Sequence, residues 1–414
     1  MPNSMQLIAL GVNQTLLIAL LPQLAVLLGF GHNPEDWGLL LLVMNANLPS
    51  YWLASGWWGK KITCGDTNQI SKQANYGFIL SISLFVTLLL LIENGLELPQ
   101  ATNTDSMSLL NTLLLTVLAL CRFASGAFAS AFLPLAQTNI TQTPEAYETN
   151  ISKLSHLSSL ITLGRFIGPI LVLLPFPLVL HLIIPALLIL VSLIQKSRTT
   201  IIQSNEAQNA SVATAQKQIQ VFKLLSKPGL TAALLTTSMV AMTQLVLLPF
   251  IAKFGYTEKQ ASHYYAQLMI YLSVFVIASQ RWLLPYLIPK IAQLTKSQTA
   301  YPLLLSLCLI LGTVLLCLPQ QNWPTLLLAL ACIAIAIAGL PACYTHQLFE
   351  QHHIQIPRAQ ISAAIAQVHT LGHLLGTAVT AALLAQNLNI AHVQLALATL
   401  LLFCIYALFQ KHTI

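Results

Sequence analysis

Runs of about 20 apolar residues, the length a helix needs to cross a hydrocarbon core, recur along the whole of this chain. They lie near 6–30, 37–58, 75–94, 109–138, 152–174 and 178–196, and again near 229–252, 262–288, 301–319, 323–346, 360–386 and 390–410. In lipid a backbone must satisfy its own amides and carbonyls, so runs of this kind are read as helices. The expectation is an all-α polytopic membrane protein with twelve transmembrane helices in two six-helix bundles. Composition agrees: 56% of the 414 residues are hydrophobic and 7% charged, against about 25% charged in a soluble domain. The run from Gln6 to Phe30 is too long for a signal-peptide core and reads as the first span.

Basic residues set the orientation, because cytoplasmic loops retain them. With both termini cytoplasmic, thirteen of the eighteen Lys and Arg fall in inner loops and the tail, and only Lys253 and Lys259 fall outside. The net charge of +7 therefore reports topology, and no nucleic-acid partner is expected. A stretch rich in Ser, Thr, Gln, Asn and Lys reads as a cytoplasmic linker at 198–227. It separates an N-terminal bundle, 1–197, from a C-terminal bundle, 228–414, which points to an internal repeat of the transporter kind.

Two charges break the apolar pattern. Arg122 sits in Leu-Cys-Arg122-Phe-Ala-Ser-Gly126 and Arg165 in Leu-Gly164-Arg165-Phe-Ile-Gly168-Pro169. Each lies about 13 residues into its span, which at about 1.5 Å per residue is near mid-bilayer. A guanidinium in hydrocarbon costs several kcal/mol and turns toward a partner or a pathway. None of the eleven acidic residues falls at the centre of a span. Arginine's fixed fork suits carboxylates and phosphates, so the missing partner is read as an anionic or metal-chelating cargo. The alternative is that both arginines bond helix-end carbonyls and amides and simply hold the bundle together.

Polar side chains in other spans complete the candidate substrate site: Asn13, Gln14, Asn45, Gln137, Gln244 and Gln267. Any of them can equally be an interhelical hydrogen bond. His369 and His373 are four apart on one helical face and titrate near neutrality. With Arg122 they are the candidates for proton coupling, against a plain packing role. No His/Cys/Asp cluster supplies a metal site, the seven cysteines form no Cys-x-x-Cys pattern, and no phosphate-binding loop is present. No cofactor is expected.

Three patterns carry a resemblance. Ser55-Gly56-Trp57-Trp58-Gly59-Lys60-Lys61 follows the second span, Arg122-x-x-x-Gly126 lies in the fourth, and Gly164-x-x-x-Gly168-Pro169 in the fifth. Together they resemble the loop motif, the Arg-x-x-x-Gly pattern and the antiporter signature of major facilitator superfamily transporters, over essentially the full chain. Gly56 and Trp57 stand where that loop motif usually has an acid and an arginine. The resemblance implies a secondary transporter rather than an enzyme, monomeric, in a bacterial inner membrane. It favours the drug and siderophore exporter branch, with a small anionic or siderophore-like molecule exported against protons by alternating access. Gly59, Lys60, Lys61, Gly164, Gly168, Pro169, Gly372 and Gly376 are its expected conformational residues. An importer of a metabolite or metal chelate has the same fold; a membrane-embedded transferase is the reading from another class, with no catalytic centre in the spans to support it.

Overall fold

The computed structural model describes residues 4–30, 37–64, 66–94, 109–141, 147–199, 227–252, 256–284, 286–287, 290, 300–318, 322–352, 358–386 and 388–410. Every long regular element among them is helical: α1 Ser4–Ala19, α2 Leu21–Leu27, α3 Gly38–Met44, α4 Asn47–Cys64, α5 Thr67–Glu93, α6 Leu109–Ala129, α7 Phe132–Thr141, α8 Tyr147–Val172, α9 Leu178–Thr199, α10 Lys227–Ala252, α11 Glu258–Ala278, α12 Ala300–Leu316, α13 Trp323–His352, α14 Arg358–Ala385 and α15 Ile390–Gln410. A π-helical turn, Ser279–Leu283, follows α11 directly. Among the described residues seven helical stretches are long and apolar enough to cross a membrane, or eight when the bent pair α1 and α2 counts as one span. Leu160–Val172, Leu178–Ile194 and Ala300–Leu316 are shorter apolar helices. The linker expected at 198–227 lies, apart from its ends, outside the described residues.

Three runs expected to be continuous are broken, and proline explains each break. The first bends by 60° between α1 and α2, just before Pro22. The second is interrupted at Asn45–Ala46, four and three residues before Pro49, and the fourth at Ser130–Ala131, four and three before Pro134. A proline ring has no N–H and crowds the carbonyl four residues back. Amides near the second and third of these breaks are accordingly drawn onto the carbonyl three residues back: Leu48 N–H donates to Asn45 O and Ala131 N–H to Phe128 O. Pro169, Pro185 and Pro341, by contrast, sit inside continuous helices.

The described residues form two compact units. One draws on Met1–His32, Leu39–Gln218 and Thr257–Ala266, the other on Asn33–Gly38, Ile219–Tyr256 and Gln267–Ile414. In the first, α1 packs on α8 and α9, and α5 on α6 and α9. In the second, α10 packs on α14 and α15, and α12 on α13 and α15. The same pairing scheme thus occurs twice, and in both units its most intimate pair is built on glycine. A Cβ on Gly164 would overlap the Ile8 carbonyl of α1, and Gly11 faces Gly164 across the same contact. On α14 a Cβ on Gly372 would overlap Thr237 Oγ1, and one on Gly376 the Ser238 carbonyl, both on α10. Ser238 Oγ spans this second contact at 2.9 Å from Gly372 O. Small residues four apart let two helices approach to backbone contact.

Because the obstacle at Gly164 is a backbone carbonyl, no rotamer change relieves a methyl added there. Gly164→Ala is expected to lower stability by about 1–3 kcal/mol through helix separation. Gly59→Ala, whose Cβ meets nothing within 4 Å, should leave the thermal midpoint unchanged. Thermal unfolding of both variants in detergent checks the contrast.

Candidate functional site

The break in the second run creates the first half of the site. Since Leu48 N–H is taken by Asn45 O, the carbonyl of Met44 at the end of α3 has lost the amide that would normally bond it. Arg122 on α6 supplies the replacement: its Nε donates to Met44 O at 3.0 Å. The side chain is only 2% exposed. Its Nη1 donates to Asn13 Oδ1 on α1 at 3.2 Å, and the guanidinium carbon stands 5.8 Å from the centre of the Phe85 ring. A cation at the C-terminal end of α3 also meets the negative pole of that helix. One turn further along α6, Gly126 provides the room that Asn47 O and Ser50 Oγ of α4 occupy. The Arg122-x-x-x-Gly126 pattern therefore grips both sides of the break.

Arg165 on α8 forms the second half. It is partly buried, and its Nε and Nη2 both donate to Gln14 Oε1 of α1, at 3.2 and 3.0 Å. Tyr51 of α4 is within electrostatic range of it. Asn13 and Gln14 are consecutive, so they point about 100° apart around α1, and the two guanidiniums approach that helix from different sides. All the hydrogen-bond partners printed by this geometry are neutral: one backbone carbonyl and two side-chain amides. The pair of positive charges is solvated by dipoles and is not cancelled by a carboxylate among the described residues.

The other sequence candidates are dispersed. Asn45 turns back on its own helix, with Nδ2 donating to Leu41 O at 2.9 Å. The side chain of Gln137 lies outside the described residues; Gln244 is partly buried on α10 and Gln267 exposed on α11. His369 of α14 has Nε2 2.8 Å from the hydroxyl of the fully buried Tyr344 on α13, and His373, a turn on, is partly buried. Near Gly59, Lys61 Nζ lies over the Trp57 and Trp58 rings at 4.7 and 5.2 Å and donates to Gln73 Oε1 of α5 at 2.7 Å. The side chain of Lys60 lies outside the described residues. Trp58 itself serves the other proline break: its Nε1 donates to Ala127 O at 2.7 Å, the carbonyl orphaned when Ala131 N–H moved to Phe128. Pro169 is buried within α8. Sequence reasoning passed over Tyr51, Phe85 and Tyr344, which as aromatic residues in apolar runs look like lipid or core contacts. No group of three or more potential metal ligands occurs among the described residues.

With this geometry in hand, comparison places the chain. The Major Facilitator Superfamily model matches residues 7–381. Solved structures agree over nearly the whole length. A bacterial homologue of the iron transporter ferroportin, outward-facing, has 18% identity and a TM-score of 0.60 with 99% of each chain covered. A bacterial homolog of the human lysosomal transporter Spinster, inward-facing and unoccupied, has 14% identity and a TM-score of 0.65, covering 99% of this chain and 96% of that one. The nucleoside transporter NupG has 14% identity and a TM-score of 0.62, covering 98% and 100%. No curated protein matches significantly in sequence. The fold is that of these transporters, and the chain is an integral membrane protein.

The two arginines differ in how much they depend on their amides. Asn13→Ala removes a neutral acceptor from a buried cation and is expected to destabilise the protein by about 2 kcal/mol, since a buried donor left unmade costs its full desolvation penalty. Gln14→Ala acts on a partly exposed group that water can reach, and should cost less than about 1 kcal/mol. Denaturation of the two variants side by side measures the difference.

Proposed function

The chain belongs to the Major Facilitator Superfamily, and on that premise we propose that it is a secondary active transporter of a small organic anion, or of a metal-chelating, siderophore-like molecule. The observation that carries this reading is that Arg122 and Arg165 bond consecutive residues of α1, Asn13 and Gln14, with only neutral partners among the described residues. A carboxylate, phosphate or hydroxamate supplies the negative charge that neither guanidinium meets among the described residues. Arg165 is the primary contact. Its fork is held by a single amide oxygen, and an anionic ligand takes the place of Gln14 with two charge-assisted bonds in place of neutral ones. Arg122, tied to Met44 and Asn13, contributes positive potential from deeper in the unit. Asn45, Gln137, Gln244 and Gln267 are secondary candidates for the same cargo.

In this reading the chain has twelve spans in two six-helix bundles, 1–197 and 228–414, joined by a cytoplasmic linker, with both termini cytoplasmic in a bacterial inner membrane. The bundles rock to expose the site to either side in turn. Gly164 with Gly168 and Gly372 with Gly376 keep α8 and α14 locked to α1 and α10, so that each bundle moves as one body. Direction is export by proton antiport, as the Gly-x-x-x-Gly-Pro resemblance suggests. His369, hydrogen-bonded to Tyr344, is the foremost proton carrier, with His373 next to it.

Comparing internal and external metabolites of cells with and without the protein, under iron limitation and repletion, identifies the cargo for flux assays in proteoliposomes. Arg165→Ala is then expected to reduce kcat/KM by about tenfold to a hundredfold, the equivalent of one or two charge-assisted bonds, and Arg165→Lys to recover only part of it. Full activity in both Arg165→Ala and Arg122→Ala at equal surface expression would sink the substrate reading. For coupling, His369→Gln should flatten the dependence of flux on pH across about pH 5 to 8, the range in which histidine titrates; an unchanged profile in the His369, His373 double variant removes both residues from the role.

A further inference from the structure

The hairpin joining α8 to α9 reads Leu171-Val-Leu-Leu-Pro175-Phe-Pro177-Leu-Val-Leu-His181. In a regular helix the carbonyl of Leu171 accepts the amide of the residue four further on, but that residue is Pro175, which has none. Leu174 N–H reaches Leu171 O at 3.0 Å and leaves the second lone pair open. His181, only 3% exposed, fills it: its Nε2 lies 2.9 Å from Leu171 O. Its other ring nitrogen, Nδ1, lies 3.0 Å from Pro177 O. The Phe176 ring, 5.8 Å between centroids, lies beside the imidazole.

Both of these partners are carbonyl oxygens, which only accept. A neutral imidazole has one N–H and one lone pair, so either neutral tautomer sets a nitrogen lone pair against a carbonyl oxygen at hydrogen-bond distance. Only the doubly protonated ring makes both bonds. The positive charge of that ring sits at the C-terminal end of α8, the negative pole of that helix. We propose that His181 is a proton-binding site that clamps the end of α8 to the start of α9 when both ring nitrogens carry hydrogen, and releases one carbonyl when a proton is lost.

Among the described residues the charged surroundings of the ring are few. Of the helices packed on α9, α1 has no charged residue and α5 ends at the exposed Glu93; α8, joined to α9 by the hairpin, brings Arg165 six residues before Leu171. The start of α11 carries Glu258, the exposed Lys259 and His263; His263 is within electrostatic range of both His181 and Lys259. Because α8 also bears Arg165, the clamp makes the firmness of that helix depend on pH through a group separate from the candidate substrate site.

The full-length protein in detergent, in a His263→Gln background that removes the neighbouring titration, provides the test. His181→Gln retains one donor at most and is expected to lower the thermal midpoint by a few degrees at about pH 5.5. At about pH 8.5 the same substitution should cost about half as much or less, because the parent has itself lost one bond there. Pro175→Ala restores a backbone N–H for Leu171 O, so in that background the loss from His181→Gln should shrink at acid pH. Nitrogen-15 spectra of histidine-labelled protein should show a resonance with both ring nitrogens protonated at about pH 5.5, missing in His181→Gln or in the better-folding Pro175→Ala, His181→Gln double variant. A neutral tautomer at that pH, a midpoint difference equal at both pH values, or a loss of the same size in both proline backgrounds would each overturn the proposal.

Discussion

In an apolar bundle every backbone carbonyl has to find a donor within the protein, and each proline takes one donor away. Much of what is specific to this chain follows from that shortage. Pro49 displaces an amide and leaves Met44 O to Arg122. Pro134 leaves Ala127 O to the indole of Trp58 and the hydroxyl of Ser130. Pro175 leaves Leu171 O to His181. In each case a polar side chain that would be costly on its own in hydrocarbon is held by a carbonyl that would be costly without it. The two expenses are met by one bond, and that bond ties helices together at the points where one of them is weakest.

This pairing accounts for what could and could not be read in advance. The apolar runs announce the helices because lipid permits few alternatives, and the arginines stand out because charge is so rare around them. Asn13 and Gln14 were visible as polar residues in the first span, but their division of labour, one amide to each guanidinium, depends on the angular step between consecutive residues of a helix and on which neighbours flank it. The breaks were harder. Prolines in the runs are plain to see, yet Pro169, Pro185 and Pro341 leave their helices continuous while Pro49 and Pro134 do not. At Pro49 and Pro134 a side chain of another helix donates to a carbonyl freed at the break, Arg122 Nε to Met44 O and Trp58 Nε1 to Ala127 O, and that is a tertiary fact. His181 escaped attention for the same reason: a lone histidine in an apolar run carries no pattern, and its meaning comes from two carbonyls at 2.9 and 3.0 Å.

The repeated helix pairing bears on how the two units resemble one another. At the tightest contact both set a threonine hydroxyl against a glycine, Thr15 against Gly168 between α1 and α8 and Thr237 against Gly372 between α10 and α14, while Gly11 facing Gly164 is found in the first and the Ser238 hydroxyl bond to Gly372 O in the second. What recurs is the requirement for backbone-to-backbone approach. The polar content differs: the first unit carries the contacts of the buried Arg122 and the partly buried Arg165, and the second carries the Tyr344–His369 bond and the Gln394 amide on Thr243.

The order of the partners along the chain has a further consequence for biosynthesis. Asn13, Gln14 and Met44 all precede Arg122 and Arg165, so as the chain is threaded N-terminus first, the acceptors are already in the bilayer when each guanidinium arrives. A helix bearing a central arginine is a poor candidate for insertion alone. Here it enters beside helices that already offer an amide oxygen and an unclaimed carbonyl. α1 and α3 thereby offer α6 and α8 the acceptors that their arginines need, in the order in which the chain supplies them.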